Sequence, residues 1–573
     1  MMAQQNYHIG NFEYNREKII SAIKEAKKQG ADLVVFSELA VCGYPPRDFL
    51  EFEDFINSCY QSIELIRAHA DTLGVIVGCP ERNPARDGKD LFNAAWFLYQ
   101  GEIKGMAQKT CLPTYDVFDE YRYFEPAYDW KVIEFRGKKI ALTICEDIWN
   151  LGDNPLYRIC PMDELIKQGP DLMINISASP FDYDHDRDRK GVIRANVLKY
   201  KLPMVYCNAV GSQTEIVFDG GSLVFGADGR ILQELKSFEE DFAISSLFTD
   251  KDGAGTAGGI PDDPKEMASD FDREMRVYRP NDPERLIDYL TSDHNISQIH
   301  AALILGIRDY FYKMGFSKAI LGSSGGIDSA VTQALACEAL GKEQVFSVLM
   351  PSPFSSSHSI TDAETLSGNL GNPSAEIPIN AIYEAFLKSL KPLFQDLPFG
   401  LAEENIQSRS RGNLLMSLAN KFGYILLNTS NKSELATGYG TLYGDMAGGL
   451  SVLGDVYKMQ VYALAKYINR EKEIIPQHIL VKEPSAELRP GQLDRDSLPP
   501  YEVLDKILYQ YIERRQGPRE IIEMGIGETL VRRVLKLVND NEYKRNQFCP
   551  IIRVSCKAFG VGRRIPIVGK YLS

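Results

Sequence analysis

Residues 318–335, KAILGSSGGIDSAVTQAL, constrain the fold more than any other stretch of this chain. Ala319-Ile320-Leu321 is a short apolar run, Gly325-Gly326 permits an unusual backbone path, and Ala, Val and Leu then recur at helical spacing. The pattern predicts a buried strand, a glycine loop and a helix, the unit of a doubly wound α/β sheet. Such a loop gathers backbone N–H groups and a helix N-terminus at one point, which favours an anion such as phosphate. Asp328 falls where a Mg²⁺ bridging phosphate oxygens would need a carboxylate. The common nucleotide loop GxxxxGK[ST] is excluded, because its lysine is missing.

SGGIDS resembles the pyrophosphate loop of the ATP pyrophosphatases, which split ATP into AMP and pyrophosphate while adenylating a substrate. The chain of 573 residues is too long for one core, so this unit shares it with at least one other domain. No run of about 18 apolar residues predicts a membrane span, and the first twenty residues lack the apolar centre of a secretory signal. A net charge of −14 argues against a general nucleic-acid binder. Ten cysteines without CxxC pairs fit a reduced, cytoplasmic protein, and seven histidines without a cluster give no reason to expect a structural metal.

Between about residue 10 and residue 248, β-branched runs alternate with amphipathic stretches. ADLVVF, GVIVGCP, IALTIC, DLMINIS and MVYCNAV predict strands; REKIISAIKEAKKQG and DELIKQG predict helices. The residues ahead of Tyr7 are too few for a full first strand, so that edge is expected to fray. TDKDGAGTAGGIPDDP then breaks the pattern with Gly, Asp and Pro and no aromatic residue. The expected division is 1–248, a linker or strap over 249–285, and 286–573. The second part opens on the helical pattern ISQIHAALILGIRDYFYKMG and leads into the glycine loop.

Three polar residues of the first part follow apolar runs: Glu38 after ADLVVFS, Lys109 in MAQKTCLPTYDVFDE and Cys145 after KKIALTI. Strand ends are where sites collect in open α/β sheets. A thiol needs a base or a nearby cation to act as a nucleophile; a Glu and a Lys would supply a proton acceptor and support for an oxyanion. Singly, each signal is weak: a cysteine ending a strand is usually a small buried hydrophobe, and a lone Glu or Lys there is usually a salt bridge or a solvated face. Together, FSELAVCGYPPRDFL, KTCLPTYDVFDEYRYF and LTICEDIW resemble the signature segments of the nitrilase superfamily. The resemblance implies an αββα sandwich with Glu38 as base, Lys109 as oxyanion support and Cys145 as nucleophile. It also implies Glu120 as a second, substrate-positioning glutamate and the backbone N–H of Glu146 in the oxyanion hole. Within that superfamily GYPPRD and LPTYDVFDE are most similar to the glutamine amidase domains of NAD⁺ synthetases, which implies glutamine contacts at Tyr115 and Ser179. Where that family carries Lys or Arg six residues after the serine, this chain has His185, with Arg187 and Arg189 close by.

In the second part, AEENIQSRSRGNLLM, YILLNTSNKSELATGYGTLYGD and NEYKRNQ could by composition alone be caps, turns and solvated faces. Beside SGGIDS they resemble the NAD⁺ synthetase domain throughout 286–573. That resemblance implies an ATP site from Gly322, Ser323, Ser324, Gly325, Gly326, Ile327, Asp328 and Ser329 with Thr429, Lys458 and Ser485. It implies magnesium at Asp328 and Glu434, and deamido-NAD⁺ at Asn405, Arg409, Glu434 and Lys544. The implied chemistry is adenylation of the nicotinate carboxylate by ATP, then displacement of AMP by ammonia made from glutamine, passed between the halves in shelter. GMP or asparagine synthetases share the loop, but FSELAVCGYPP and TSNKSE argue against them. The intact polar residues argue against a mere nucleotide sensor. The family commonly assembles into homo-oligomers.

Overall fold

The computed structural model describes residues 1–85, 87–151, 156–183, 185–248 and 284–571, apart from the side chain of His185. Backbone contacts divide the chain into two compact units, Met1–Val277 and Tyr278–Ser573. The expected linker over 249–285 lies, as far as residue 283, outside the described residues.

The first unit is built on two six-stranded sheets. One runs in the order Asp241–Ala243, Met2–Gln4, Leu33–Val35, Gly74–Arg82, Leu91–Tyr99, Glu102–Gln108; the other Ile231–Glu234, Leu223–Phe225, Met204–Asn208, Leu172–Ser177, Lys138–Ile144, Ile133–Phe135. Strand periodicity assigns the layers, since alternate side chains point to opposite faces. From Lys138–Ile144, Leu142 and Ile144 join Ile174 and Ile176 against Val35, Ile76 and Phe97 of the facing sheet. Ala141 and Met173 turn outward onto Ile193 and Val197 of the helix His185–Tyr200. On the far side, Val34, Val75 and Val77 meet Ile19, Ile23, Ile56 and Ile63 of the helices Phe12–Lys28 and Glu53–Arg67. Two helical layers therefore enclose two sheets, the αββα sandwich.

Met2–Gln4 does not fray. It is buried, pairs antiparallel with Asp241–Ala243 and parallel with Leu33–Val35, and sits inside the sheet. The hairpin Leu91–Tyr99 to Glu102–Gln108 extends the same sheet antiparallel; its sequence does not alternate cleanly because the first strand is covered on both faces.

The second unit carries a five-stranded, wholly parallel sheet, ordered Ser374–Glu376, Val345–Leu349, Ala319–Gly322, Ile425–Asn428, Leu450–Ser451. Ala319–Gly322 lies at its centre, flanked by strands added in opposite directions, which is the switch point where ligands bind in such sheets. GNPSAEIPIN, which has no obvious periodicity, contributes the edge strand Ser374–Glu376. Among the described residues no helix is long and apolar enough to cross a membrane.

Candidate functional site

Cys145 follows the strand Lys138–Ile144 directly and opens a 3₁₀ turn, Cys145–Ile148. Its φ of +42° lies in the left-handed region that side chains rarely adopt, a strain of order 1–3 kcal/mol that surrounding contacts must hold. Asp147 provides such contacts. Its Oδ2 accepts from Ile144 N at 3.1 Å, while Oδ1 accepts from Thr110 N at 3.0 Å and Cys111 N at 2.9 Å. One carboxylate thus ties the cysteine turn to the segment that begins at Lys109. The turn also presents the first N–H groups of a helical stretch, which lack intrahelical partners.

Lys109 is completely buried, and its Nζ donates to Glu38 Oε1 and Glu120 Oε1, each at 2.8 Å. Asn93 Nδ2 donates to the same two residues, to Glu38 Oε1 at 2.7 Å and Glu120 Oε2 at 3.4 Å. Tyr44 OH donates to Glu120 Oε1 at 2.7 Å, and Ala178 N to Glu38 Oε2 at 2.9 Å. Burial would lower the Lys109 ammonium, but Glu120 and Glu38 hold it well above the usual lysine value. Glu120 is pushed up to about 7 by burial and by the charge of Glu38, against the pull of Lys109. One cation between two carboxylates cannot neutralise both, so Glu120 takes the burden.

Cys145 is in electrostatic contact with this cluster. Burial raises its thiol well above the ordinary value, the charge of Glu38 adds to the rise, and Lys109 and a hydrogen bond with Ser177 oppose it. Burial thus favours the neutral thiol, so any attack by this sulfur would call for a base.

Tyr115 OH donates to both oxygens of Glu146, at 2.9 and 3.0 Å. Burial lifts the Glu146 carboxyl to about 7, opposed by Lys109 and the Tyr115 hydroxyl. Ser179 N donates to Asn208 Oδ1 at 2.9 Å, fixing the loop after Leu172–Ser177. The His185 side chain lies outside the described residues. Arg189 is buried, with Nη1 and Nη2 on Asp219 at 2.8 and 2.7 Å and Nη2 on Asp186 at 2.9 Å. Arg189 is thereby a bidentate cation in a fully desolvated pair with Asp219.

In the second unit, Gly322 to Ser329 line a cavity of about 300 Å³ together with Thr429, Glu434, Lys458 and Ser485. Gly325 has φ +72°, and a Cβ there would stand 2.2 Å from Ser359 O, so both conformation and space demand glycine. Ser324 Oγ accepts from Gly326 N at 3.2 Å and meets Ser329 Oγ at 3.1 Å, which pins the loop. Ser323 Oγ instead donates to Gln333 Oε1 at 2.9 Å and is buried. The helix Ile327–Leu340 begins at Gly326, which has no side-chain oxygen to cap it.

Lys458 Nζ donates to Asp328 Oδ2 at 2.5 Å and to Glu434 Oε1 at 3.5 Å, and Asn431 Nδ2 donates to Asp328 Oδ1 at 2.9 Å. Burial and the charge of Asp328 push Glu434 up to about 8, against Lys458. The centre repeats the logic of the first unit: one buried ammonium between two carboxylates.

Not every expected residue lines the cavity. Asn405 Oδ1 accepts from Thr441 Oγ1 at 2.8 Å, and Arg409 is exposed, with Nε on Leu442 O at 3.2 Å. Lys544 Nζ holds Gly438 O and Gly440 O at 2.8 and 2.9 Å. Arg411, overlooked in the sequence, does line it; its Nε donates to Met350 O at 3.0 Å, and burial lowers it to about 10. The signal was present two residues past Arg409, on the other helix face. Asp494 and Lys482 also line the cavity without a sequence signal.

Among the described residues no group of three or more His, Cys, Asp or Glu is arranged to hold a metal ion. Asp328 and Glu434 are two hard oxygen donors whose mutual repulsion already raises Glu434. Such hard oxygen donors are of the kind that Mg²⁺ prefers.

Comparison with known proteins agrees with both halves. Residues 2–249 match the carbon-nitrogen hydrolase family and residues 299–548 the NAD synthase family. A glutamine-dependent NAD(+) synthetase of Synechocystis is 44% identical over 99% of this chain and 98% of its own length. One from Thermotoga maritima is 41% identical over 100% and 98%. The structure of the Acinetobacter baumannii glutamine-dependent NAD⁺ synthetase, in complex with ADP, superposes with a TM-score of 0.71 at 35% identity, covering 99% of this chain and 97% of that one. With a carbon-nitrogen hydrolase unit ahead of an NAD synthase unit and full-length likeness at these identities, the chain belongs to the glutamine-dependent NAD(+) synthetase family.

Proposed function

We propose that the chain converts deamido-NAD⁺, ATP and glutamine into NAD⁺, AMP, pyrophosphate and glutamate, using one ion-paired lysine centre for each half of the work. The observation that carries this reading is the pair of constellations: Glu38–Lys109–Glu120 beside Cys145 in the first unit, and Asp328–Lys458–Glu434 on the glycine loop in the second.

In the first unit Glu38 accepts the Cys145 proton as the sulfur attacks the glutamine amide carbon. Lys109 and the Glu146 N–H stabilise the oxyanion, ammonia leaves with the proton returned, and water then releases glutamate from the thioester. Tyr115, Ser179 and the region of His185 bind the amino acid, and Glu120 orients its amide.

In the second unit the nicotinate carboxylate attacks the α-phosphorus of ATP. The O–P bond to pyrophosphate breaks, and an acyl adenylate forms. Loop amides from Ser323 to Ser329, with Thr429, Lys458 and Ser485, hold the triphosphate. Asn405, Arg409, Glu434 and Lys544 hold deamido-NAD⁺. Asp328 and Glu434 would hold a Mg²⁺, which would supply charge neutralisation on the phosphates. Ammonia then displaces AMP. Ammonium has no lone pair to attack with, which favours sheltered transfer of the amine between the two centres.

The ten cysteines, none of them in a CxxC pair, support cytoplasmic residence. Self-association is supported by the helix Asn380–Phe394 and the residues after it, where Leu393, Leu397 and Leu401 are more than 70% exposed.

The test is product analysis with amide-¹⁵N glutamine. The label is expected in the carboxamide of NAD⁺ with stoichiometric AMP and pyrophosphate. ADP and phosphate as products, or absence of label, would rule the reading out.

A further inference from the structure

Lys458 and Glu434 belong to separate segments, and their relative position is fixed by groups that do not line the cavity. Lys458 and Met459 are the first two residues of the helix Lys458–Ile468, so their N–H groups lack intrahelical acceptors. Both find acceptors elsewhere. Lys458 N donates to Ser433 Oγ at 2.9 Å, and Met459 N donates to Asp505 Oδ2 at 2.9 Å. Ser433 immediately precedes Glu434, and its hydroxyl donates to Asp505 Oδ1 at 2.5 Å. Ser433 and Asp505 are both completely buried, and Asp505 comes from a third element, the helix Tyr501–Ile512.

A single carboxylate therefore grips the residue before Glu434 and the residue after Lys458. The hydrogen-bond polarity is fully determined. The serine oxygen accepts the Lys458 N–H, so its own hydrogen must go to Asp505, which accepts on both oxygens.

A second buried cluster binds the same two segments one residue further out. Lys432 Nζ contacts Glu513 Oε1 at 2.7 Å, Ser555 Oγ at 2.8 Å and Asp455 Oδ1 at 2.9 Å, and Lys432 N donates to Val456 O at 2.9 Å. This cluster holds the two strand-end segments together. Asp505 sets their register at the catalytic residues themselves.

We propose that Asp505, acting through Ser433, is a positioning residue for the ATP-dependent half-reaction. It fixes the spacing of Glu434 and Lys458 so that the ammonium bridges Glu434 and Asp328 and meets the phosphates already aligned. The proposal rests on the reading of the second unit as the adenylating site. Because a displacement of about 1 Å can cost of order a hundredfold in rate, the loss of this grip acts mainly on turnover.

The test uses the full chain with Asp505→Asn, Ser433→Ala and the double variant, all rates being normalised to the folded fraction read by near-ultraviolet circular dichroism. Asparagine keeps the shape of Asp505 but offers a donor to one of two groups that already donate. Ammonia-dependent NAD⁺ synthesis and deamido-NAD⁺-dependent exchange of pyrophosphate into ATP are measured beside glutaminase activity without ATP. The expected result is a kcat for synthesis and exchange lower by about tenfold or more in each single variant. KM for ATP moves far less, glutaminase is unchanged, and the double variant is little worse than the singles, since both cut one linkage. A rate per folded molecule equal to that of the unsubstituted protein, or fully additive losses, overturns the proposal. Failure of the unsubstituted protein itself to make NAD⁺ from deamido-NAD⁺, ATP and ammonia would instead strike the proposed function.

Discussion

The Lys109 ammonium donates to Glu38 at 2.8 Å in a place where neither side chain reaches solvent. That contact joins the end of one strand to the end of another, seventy-one residues apart. It gives Lys109 a structural role, whatever part it also takes in the proposed chemistry. Lys109→Met would leave Glu38 and Glu120 buried without their cation, a loss of about 3–5 kcal/mol. Chemical denaturation of the first unit should show the destabilisation, and Glu120→Gln in the same chain should recover part of it by removing one carboxylate.

The turn carrying Glu38 leaves no room beneath it. A Cβ on Gly78 would stand 2.2 Å from Leu39 N and 2.6 Å from Ser37 O. Gly78→Ala should displace Glu38 and reduce glutaminase kcat by about a hundredfold. Steady-state assays should find ammonia-dependent synthesis intact, because the strand Gly74–Arg82 belongs wholly to the first unit.

Stability of the first unit should fall as pH rises. Glu146, whose unfolded value is near 4.5, is held at about 7 by burial. Its folded form prefers the proton, so its contribution is complete below about 4.5 and is lost as pH climbs through 7. Asp186, lowered to about 2 by Arg189 and Lys190 against its burial, acts below this window and does not offset it. Thermal midpoints at pH 5 to 8 should decline, and Glu146→Gln should flatten the decline.

Lys458→Met should sharply reduce ammonia-dependent synthesis and spare glutaminase, since it strands Asp328 and Glu434 and removes the cation proposed to meet the phosphates. Loss of one such preorganised group costs about 10²–10³ in kcat. Equal loss of glutaminase measured without ATP would speak against separate sites.

Much of this arrangement was legible because several signature segments occur together in one sequence: Glu38 and Cys145 each follow an apolar run, Lys109 follows the strand Glu102–Gln108, and Gly325 sits where strand gives way to helix. Residues that act from the middle of an element left no such mark. Asn93 lies inside the strand Leu91–Tyr99, and Asp505 inside an amphipathic helix where a polar residue reads as a solvated face. Arg189 left no readable mark for a different reason: its partner Asp219 is thirty residues away, and only the fold reveals that the pair is closed. Met2–Gln4 was too short to carry periodicity and is held in place by the strands on either side.

In the proposed scheme a thiol centre frees ammonia in one unit and a separate nucleotide centre consumes it in the other. The most direct measurement is NAD⁺ formation by Cys145→Ala, assayed once with glutamine and once with ammonium chloride. Synthesis from glutamine is expected to disappear while synthesis from ammonium chloride continues at the rate of the unsubstituted chain. Loss of both activities in a folded protein would contradict it.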